Sequence, residues 1–131
     1  MSQRFIVSSF LYLLSFVFMV VALQALLIPN VFVTPMEIQI ESAASFAEIR
    51  AGYSGCFGGL ALLFFMGARN EELNAFCLRV AAVVLGLFTL GRLISLFVEG
   101  VPNHFSMIVH AAEFCAFSFS LILISRIQSE S

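Results

Sequence analysis

The chain has 131 residues, of which 61% are hydrophobic and 11% are charged, less than half of the roughly 25% charged residues of a typical soluble domain. A soluble domain of this size cannot bury so much apolar surface, so the composition predicts a membrane protein whose solvent is the lipid bilayer. The net charge is −2, and no cluster of basic residues points to a nucleic-acid partner.

Four apolar runs predict an all-α fold. Leu, Ala and Phe dominate them and each run is longer than a strand, so we expect a bundle of four transmembrane helices forming one membrane domain over residues 1–131. The first run follows Arg4, as the core of a signal peptide would. It is longer than such a core and lacks a small-residue cleavage site, so we expect a retained helix. The predicted helices cover approximately residues 5–28, 45–68, 75–98 and 105–125.

Polar segments separate the predicted helices. Residues 29–44 contain two prolines and two glutamates and are expected to form a loop. Residues 69–74 are expected to form a tight polar turn. The third helix is expected to end at residues 99–102, because Gly100 and Pro102 both interrupt a helix there.

The arginines predict the orientation of the helices. They flank one predicted side of the membrane, whereas the two loops on the other side contain no Lys or Arg. The positive-inside rule therefore places both termini in the cytoplasm and the acidic first loop outside. In a bacterium this is a multi-pass protein of the inner membrane. The arginines that carry this prediction are Arg4, Arg69, Arg79 and Arg126.

Glycines form a smooth strip on the predicted second helix. Gly52, Gly55 and Gly59 lie on it together with Gly58, and Gly55 and Gly59 have the G-x-x-x-G spacing that lets helix backbones approach closely in lipid. We expect this strip to serve helix packing, either within one bundle or at the seam of a homo-oligomer.

Ionisable residues inside the apolar runs mark the candidate functional site. A charged side chain in hydrocarbon costs at least a few kcal/mol, so each needs a partner or a purpose. By helical rise, Arg50, Arg92 and Glu113 all lie within about 7–12 Å of the predicted outer surface. Neighbouring residues on the same helix faces complete a predicted polar layer. Its members are Glu48, Arg50, Tyr53, Arg92, Ser95, Glu99, His110 and Glu113.

Two interpretations of this layer remain open. In the first, Arg50 and Arg92 pair with glutamates and fix helix rotation, which is a structural role. In the second, the layer is a pocket for a polar or anionic head group, and the apolar bundle receives the tail of a lipid or an isoprenoid quinone. The planar guanidinium of arginine suits carbonyl, carboxylate and phosphate oxygens.

Metal and catalytic chemistry have weaker support. His110 and Glu113 are two possible ligands on one helix face, but carboxylate-bridged metal sites in bundles draw about six ligands from four helices, and arginines nearby oppose a cation. Motifs for a nucleophile or a phosphate-binding loop are lacking. Neither a metal nor a catalytic residue is therefore predicted. Three cysteines in the apolar runs are expected to be packing residues, namely Cys56, Cys77 and Cys115.

Two motifs carry a resemblance to a known family. They are AEIRAGYSG at residues 47–55 and GRLISLFVEG at residues 91–100. Together with Glu113 in the fourth helix, they resemble DUF4345, an uncharacterised bacterial family of small four-helix membrane proteins that is broadly DoxX-like. The resemblance covers nearly the whole chain. It implies that the recurrent residues are Glu48, Arg50, Tyr53, Gly55, Arg92, Ser95 and Glu99.

The resemblance implies no established reaction, although some DoxX-like proteins are associated with quinone-linked oxidoreductase complexes or membrane redox stress. We therefore expect a non-catalytic accessory protein that binds lipid or quinone, in a larger membrane complex or a homo-oligomer. The alternative is a component of a quinone-linked membrane oxidoreductase, in which Glu113 or His110 moves protons. A small oligomeric transporter fits less well, because four short helices leave little room for alternating access.

Overall fold

The structure, a computed structural model, describes residues 3–130, and these residues contain helices and connecting turns but no strand. Four of the helical spans in this part of the chain are long and apolar enough to cross a membrane. The predicted all-α class with four long apolar helices is thereby confirmed, while the orientation of the termini stays a prediction. The α-helices are α1 (Gln3–Leu27), α2 (Pro29–Val33), α3 (Ala43–Glu48), α4 (Gly55–Arg69), α5 (Glu71–Val98) and α6 (His104–Glu130).

The described residues form two compact units, one up to Leu73 and one from Asn74 onward. The expectation of a single domain over the whole chain stays a prediction, and it includes residues 1, 2 and 131, which lie outside the described part. Each unit contains helices of membrane-spanning length, so each is considered separately below.

In the first unit, α1 packs lengthwise against α4. The hydroxyl of Ser15 donates a hydrogen bond of 2.8 Å to the carbonyl oxygen of Ala61, and Ser15 is only 8% exposed. Phe18 packs edge-on against Phe64, with 5.5 Å between the ring centroids. Hydrogen bonds between helices and close packing hold helices together in lipid, where apolar burial alone gives no driving force. This interface fixes the first two spans as a pair.

The segment after α1 is more ordered than the predicted loop. Pro29 opens the short helix α2, a position that favours proline because its missing N–H has no helical partner there. A 3-10 turn follows at Thr34–Met36. Phe32 and Val33 are buried against Ala25 and Ile49, so apolar side chains draw this segment onto the helices.

The second span is also not one regular helix. It starts at α3, where the hydroxyl of Ser42 accepts a hydrogen bond from the backbone N–H of Ser45. It then widens into a π-helix at Ile49–Ser54 before continuing as α4. A π-helix changes the angular spacing of side chains and is often found at functional sites. Arg50 and Tyr53, two members of the predicted polar layer, both lie within this widened turn.

The polar turn before α5 is shorter than predicted, because α5 begins at Glu71 rather than at residue 75. The side-chain oxygen of Asn70 accepts a hydrogen bond of 3.1 Å from the backbone N–H of Glu72, which caps the helix. The carboxylates of Glu71 and Glu72 lie in the first turn of α5, where they interact favourably with the positive end of the helix dipole. An ion pair of 2.7 Å between Arg4 and Glu71 connects this turn to α1 within the first unit.

In the second unit, α5 approaches α6 closely at Gly86. A methyl group added there would lie 2.9 Å from Cε2 of Phe117. That separation is shorter than real contacts of this kind, so Phe117 would have to move. Gly91 lies on the same helix and has open space around it. The two glycines therefore form a matched pair for testing the α5–α6 contact.

We expect Gly86→Ala to destabilise the protein by about 1–3 kcal/mol relative to Gly91→Ala, because it overpacks the contact with Phe117. Both variants gain the same helix propensity, which cancels in the comparison. Thermal unfolding of the purified variants in one mild detergent measures the difference. Equal melting temperatures for the two would contradict the contact.

Candidate functional site

The second unit contains an open cleft of about 130 Å³ where α5 ends and α6 begins. Its walls combine a guanidinium, an imidazole and two hydroxyls with apolar side chains. Two of the predicted site residues on α5 and one on α6 line it. The lining residues are Arg92, Ser95, Leu96, Pro102, Ser106, Met107 and His110.

The reversal between α5 and α6 sets the geometry of this cleft. Gly100 has a φ of +98°, a left-handed conformation that suits glycine just after a helix. Pro102 follows, and Asn103 then caps α6 by accepting a hydrogen bond of 2.9 Å from the backbone N–H of Ser106. The cap fixes where α6 starts, and thus which face of the helix carries Ser106 and His110.

Arg92 on α5 and Glu113 on α6 form a bidentate ion pair. Nε of Arg92 donates to Oε2 of Glu113 at 2.6 Å, and Nη2 donates to Oε1 at 3.2 Å. The two side chains are 38% and 15% exposed. Bidentate pairs of this kind combine charge neutralisation with fixed geometry. Arg92 is thus paired with a glutamate, which is the arrangement that the first interpretation of the polar layer expects.

His110 places a buried polar atom at the cleft. Its Nδ1 is shielded from solvent and has no hydrogen-bond partner within the described residues. Buried polar atoms are nearly always satisfied in native proteins, by protein groups, by water or by a ligand. His110 lies one helical turn before Glu113 on the same helix, beside the ion pair of Glu113 and Arg92.

The remaining predicted residues of this unit have different positions. Ser95 is exposed and lines the cleft. Glu99 is exposed at the end of α5, where its backbone N–H bonds to the carbonyl of Ser95, and its side chain does not line the cleft. Sequence reasoning missed Ser106, although a signal existed. Ser106, His110 and Glu113 follow a spacing of four and three residues, which places them on one face of α6.

In the first unit, Arg50 has a structural contact. Its Nε donates a hydrogen bond of 3.1 Å to the carbonyl oxygen of Leu26, in the last turn of α1. Its guanidinium also lies 5.6 Å from the ring centroid of Phe46. A cation at a helix C-terminus satisfies an unpaired carbonyl and complements the helix dipole. The neighbouring Glu48 is exposed and makes no ion pair with Arg50.

The ring of Tyr53 packs within an aromatic group. Its ring packs edge-on against Phe32 at 5.3 Å and lies parallel to Phe57 at 6.3 Å. Of the glycine strip, positions 52, 55 and 59 have open space where a side chain would stand, while Gly58 faces Ala22 across the α1–α4 interface. The predicted packing role of Gly52, Gly55 and Gly59 stays a prediction.

The donor set of the cleft suits an organic head group better than a metal ion. Among residues 3–130, no three His, Cys, Asp or Glu side chains come together as metal ligands would. The guanidinium and the hydroxyls of the cleft form hydrogen bonds but are poor metal ligands. The imidazole of His110 is the one side chain among the lining residues that commonly binds a metal. These groups can form hydrogen bonds with the oxygen atoms of an organic molecule.

Four apolar helices of membrane-spanning length, with an ion pair near the end of one helical hairpin, define a small multi-pass membrane protein of the all-α class. The family model described as Domain of unknown function (DUF4345) matches residues 6–124. The chain therefore belongs to the DUF4345 family, which confirms the family resemblance of its two motifs. Similarity to DoxX-like proteins stays a prediction. No curated protein and no solved structure matches the chain.

The ion pair generates a stability prediction. Replacing Arg92 or Glu113 singly by Gln should cost about 1–3 kcal/mol, because the partner keeps an uncompensated charge, and the position of the pair near the end of the hairpin keeps this below the cost of a charge at the centre of the bilayer. The double variant Arg92→Gln/Glu113→Gln should recover much of the loss. Unfolding of all four proteins in one detergent measures the coupling.

Arg4 and Glu71 provide the matched control. Their side chains are 59% and 61% exposed, so the same cycle of Gln replacements should show a coupling of about 0–1 kcal/mol. A coupling at Arg92 and Glu113 no larger than this control would show that their bond is unimportant for stability.

Proposed function

We propose that this protein is a non-catalytic accessory protein of the bacterial inner membrane. It binds the polar head group of a lipid or quinone in the cleft between α5 and α6. The observation that carries the proposal is that Arg92 lines the cleft while its guanidinium is bound to Glu113, which does not line it. Ser95 and His110 line the same cleft.

The guanidinium is oriented to bind a second group. It has five N–H donors, and the bonds to Glu113 use two of them. The bidentate geometry holds the plane of the guanidinium in one orientation, so the other donors have a fixed direction. A fixed donor needs little further ordering when a ligand binds, which improves affinity.

The rest of the cleft suits an amphiphile. Leu96, Pro102 and Met107 form its apolar lining, and the exposed face of the hairpin carries large apolar side chains such as Phe97 and Phe105. A ligand with a polar head and a hydrocarbon tail would satisfy both surfaces, because its tail would remain in the lipid.

The alternative function, a component of a quinone-linked oxidoreductase, draws support from His110. This residue lines the cleft, and Glu113 lies one turn further along the same helix. An imidazole beside a carboxylate is suited to exchanging protons with a bound quinone. Reduction of the quinone would require an electron donor from a partner protein.

We expect the purified protein to retain a lipid or quinone in stoichiometric amount, and Arg92→Gln to lose most of it through the loss of charge-assisted hydrogen bonds. Mass spectrometry of protein extracted from native membranes in mild detergent measures retention, and it also detects a retained protein partner. Arg79→Gln is the control, since Arg79 is an exposed arginine on the same helix.

Two results would contradict the proposed function. One is a folded Arg92→Gln variant that retains the same molecule in the same amount as the Arg79→Gln control. The other is a purified protein that retains no lipid, quinone or protein partner, which would leave the charged residues with a structural role.

The proposed orientation places both termini in the cytoplasm and the cleft in the periplasmic half of the membrane. It is supported by the distribution of Arg4, Arg69, Arg79 and Arg126. We expect a periplasm-active phosphatase fused after Arg126 to be inactive and the same enzyme inserted near Gln39 to be active. Activity of the fusion after Arg126 would overturn this orientation.

A further inference from the structure

The charge of the cleft differs from that of an ordinary anion site. Arg92 brings a fixed positive charge to the wall, but both oxygens of the Glu113 carboxylate bind it at 2.6 and 3.2 Å. A phosphate or carboxylate entering the cleft would therefore meet a guanidinium that is already neutralised, and the net attraction for an anion is small.

The size of the cleft also limits the ligand. Its volume is about 130 Å³, and an engineered apolar cavity of roughly 150 Å³ holds one benzene molecule. The cleft therefore accommodates a group about as large as a single six-membered ring. A glycerophosphate head group with its attached alcohol is larger than this space and would extend out of the open cleft.

The hydrogen-bonding groups of the cleft set the chemistry of the ligand. The N–H groups of Arg92 that do not bind Glu113 are donors and require an acceptor oxygen. Nδ1 of His110 is buried and has no partner within the described residues. Ser95 and Ser106 add hydroxyls that can donate or accept. Uncharged carbonyl and hydroxyl oxygens satisfy all of these groups.

From charge, volume and hydrogen bonding together, we infer that the cleft selects an uncharged head group that carries carbonyl or hydroxyl oxygens and is about one six-membered ring in size. Anionic head groups are selected against, because Glu113 neutralises the arginine that would attract them. This inference rests on the proposed function and specifies the ligand class of the same site.

Binding of three defined probes tests the inference. Decylubiquinone presents an uncharged ring with carbonyl oxygens, monoolein presents uncharged hydroxyl and ester oxygens, and dodecyl phosphate presents an anion. Titration calorimetry on the whole protein in an uncharged detergent measures each dissociation constant. We expect at least one uncharged probe to bind about tenfold or more tightly than dodecyl phosphate, and the tighter of the two identifies the source of the head group.

Removing the neutralising carboxylate should reverse the preference. In Glu113→Gln, Arg92 becomes an unpaired cation, and its hydrogen bonds to an anion should raise the affinity for dodecyl phosphate by about tenfold or more. Glu41→Gln is the matched control, because it removes the same charge from an exposed position in the first unit. The control should leave all three affinities unchanged.

The outcomes separate this inference from the function on which it rests. Tighter binding of dodecyl phosphate than of both uncharged probes by the unaltered protein would overturn the inference and leave an amphiphile site in place. No binding of any probe, or binding that a folded Arg92→Gln variant retains, would overturn both. If Glu113→Gln does not fold, the ranking of the three probes by the unaltered protein still decides the inference.

Discussion

The charged residues in the apolar hairpin of α5 and α6 impose the constraint on which the second unit depends. A guanidinium in hydrocarbon costs several kcal/mol unless it is paired, and Arg92 meets this requirement by binding both carboxylate oxygens of Glu113. The pair sets the rotation of both helices, since each side chain must face the other. It also turns Ser95 and His110 toward the same space, which makes a polar cleft a consequence of the pairing.

The turn between α5 and α6 determines which residues of the two helices lie opposite each other. Gly100 adopts a left-handed conformation at the end of α5, and Asn103 caps the start of α6 three residues later. A reversal this short leaves little freedom in how residues of the two helices are matched along the hairpin. The ion pair, the close contact at Gly86 and the lining of the cleft therefore belong to one antiparallel arrangement. Pairing and cleft formation are thus linked by the geometry of the turn.

The first unit resolves the same problem of charge in a different way. Arg50 donates to the carbonyl of Leu26 and lies beside the ring of Phe46, so its charge complements a helix end instead of a carboxylate. Tyr53 joins Phe32 and Phe57 in an aromatic group. Residues that look alike in the sequence, two arginines near the ends of apolar helices, thus have different environments. The energetic cost of a membrane charge predicts that a partner exists, but it does not predict which one.

The sequence by itself determined the all-α class, the four apolar helices and the likeness to the DUF4345 family, because length, hydropathy and local motifs are properties of contiguous residues. It also singled out Arg92, Glu113 and His110, since each violates the apolar pattern around it. The tertiary structure decided that Arg92 binds Glu113, that Arg50 binds a backbone carbonyl and that Ser106 lines the cleft. It also decided that the second span contains a π-helix and that residues after α1 form short helical turns. These features depend on helix rotation and on contacts between residues distant along the chain, for which no single stretch of sequence carries the information.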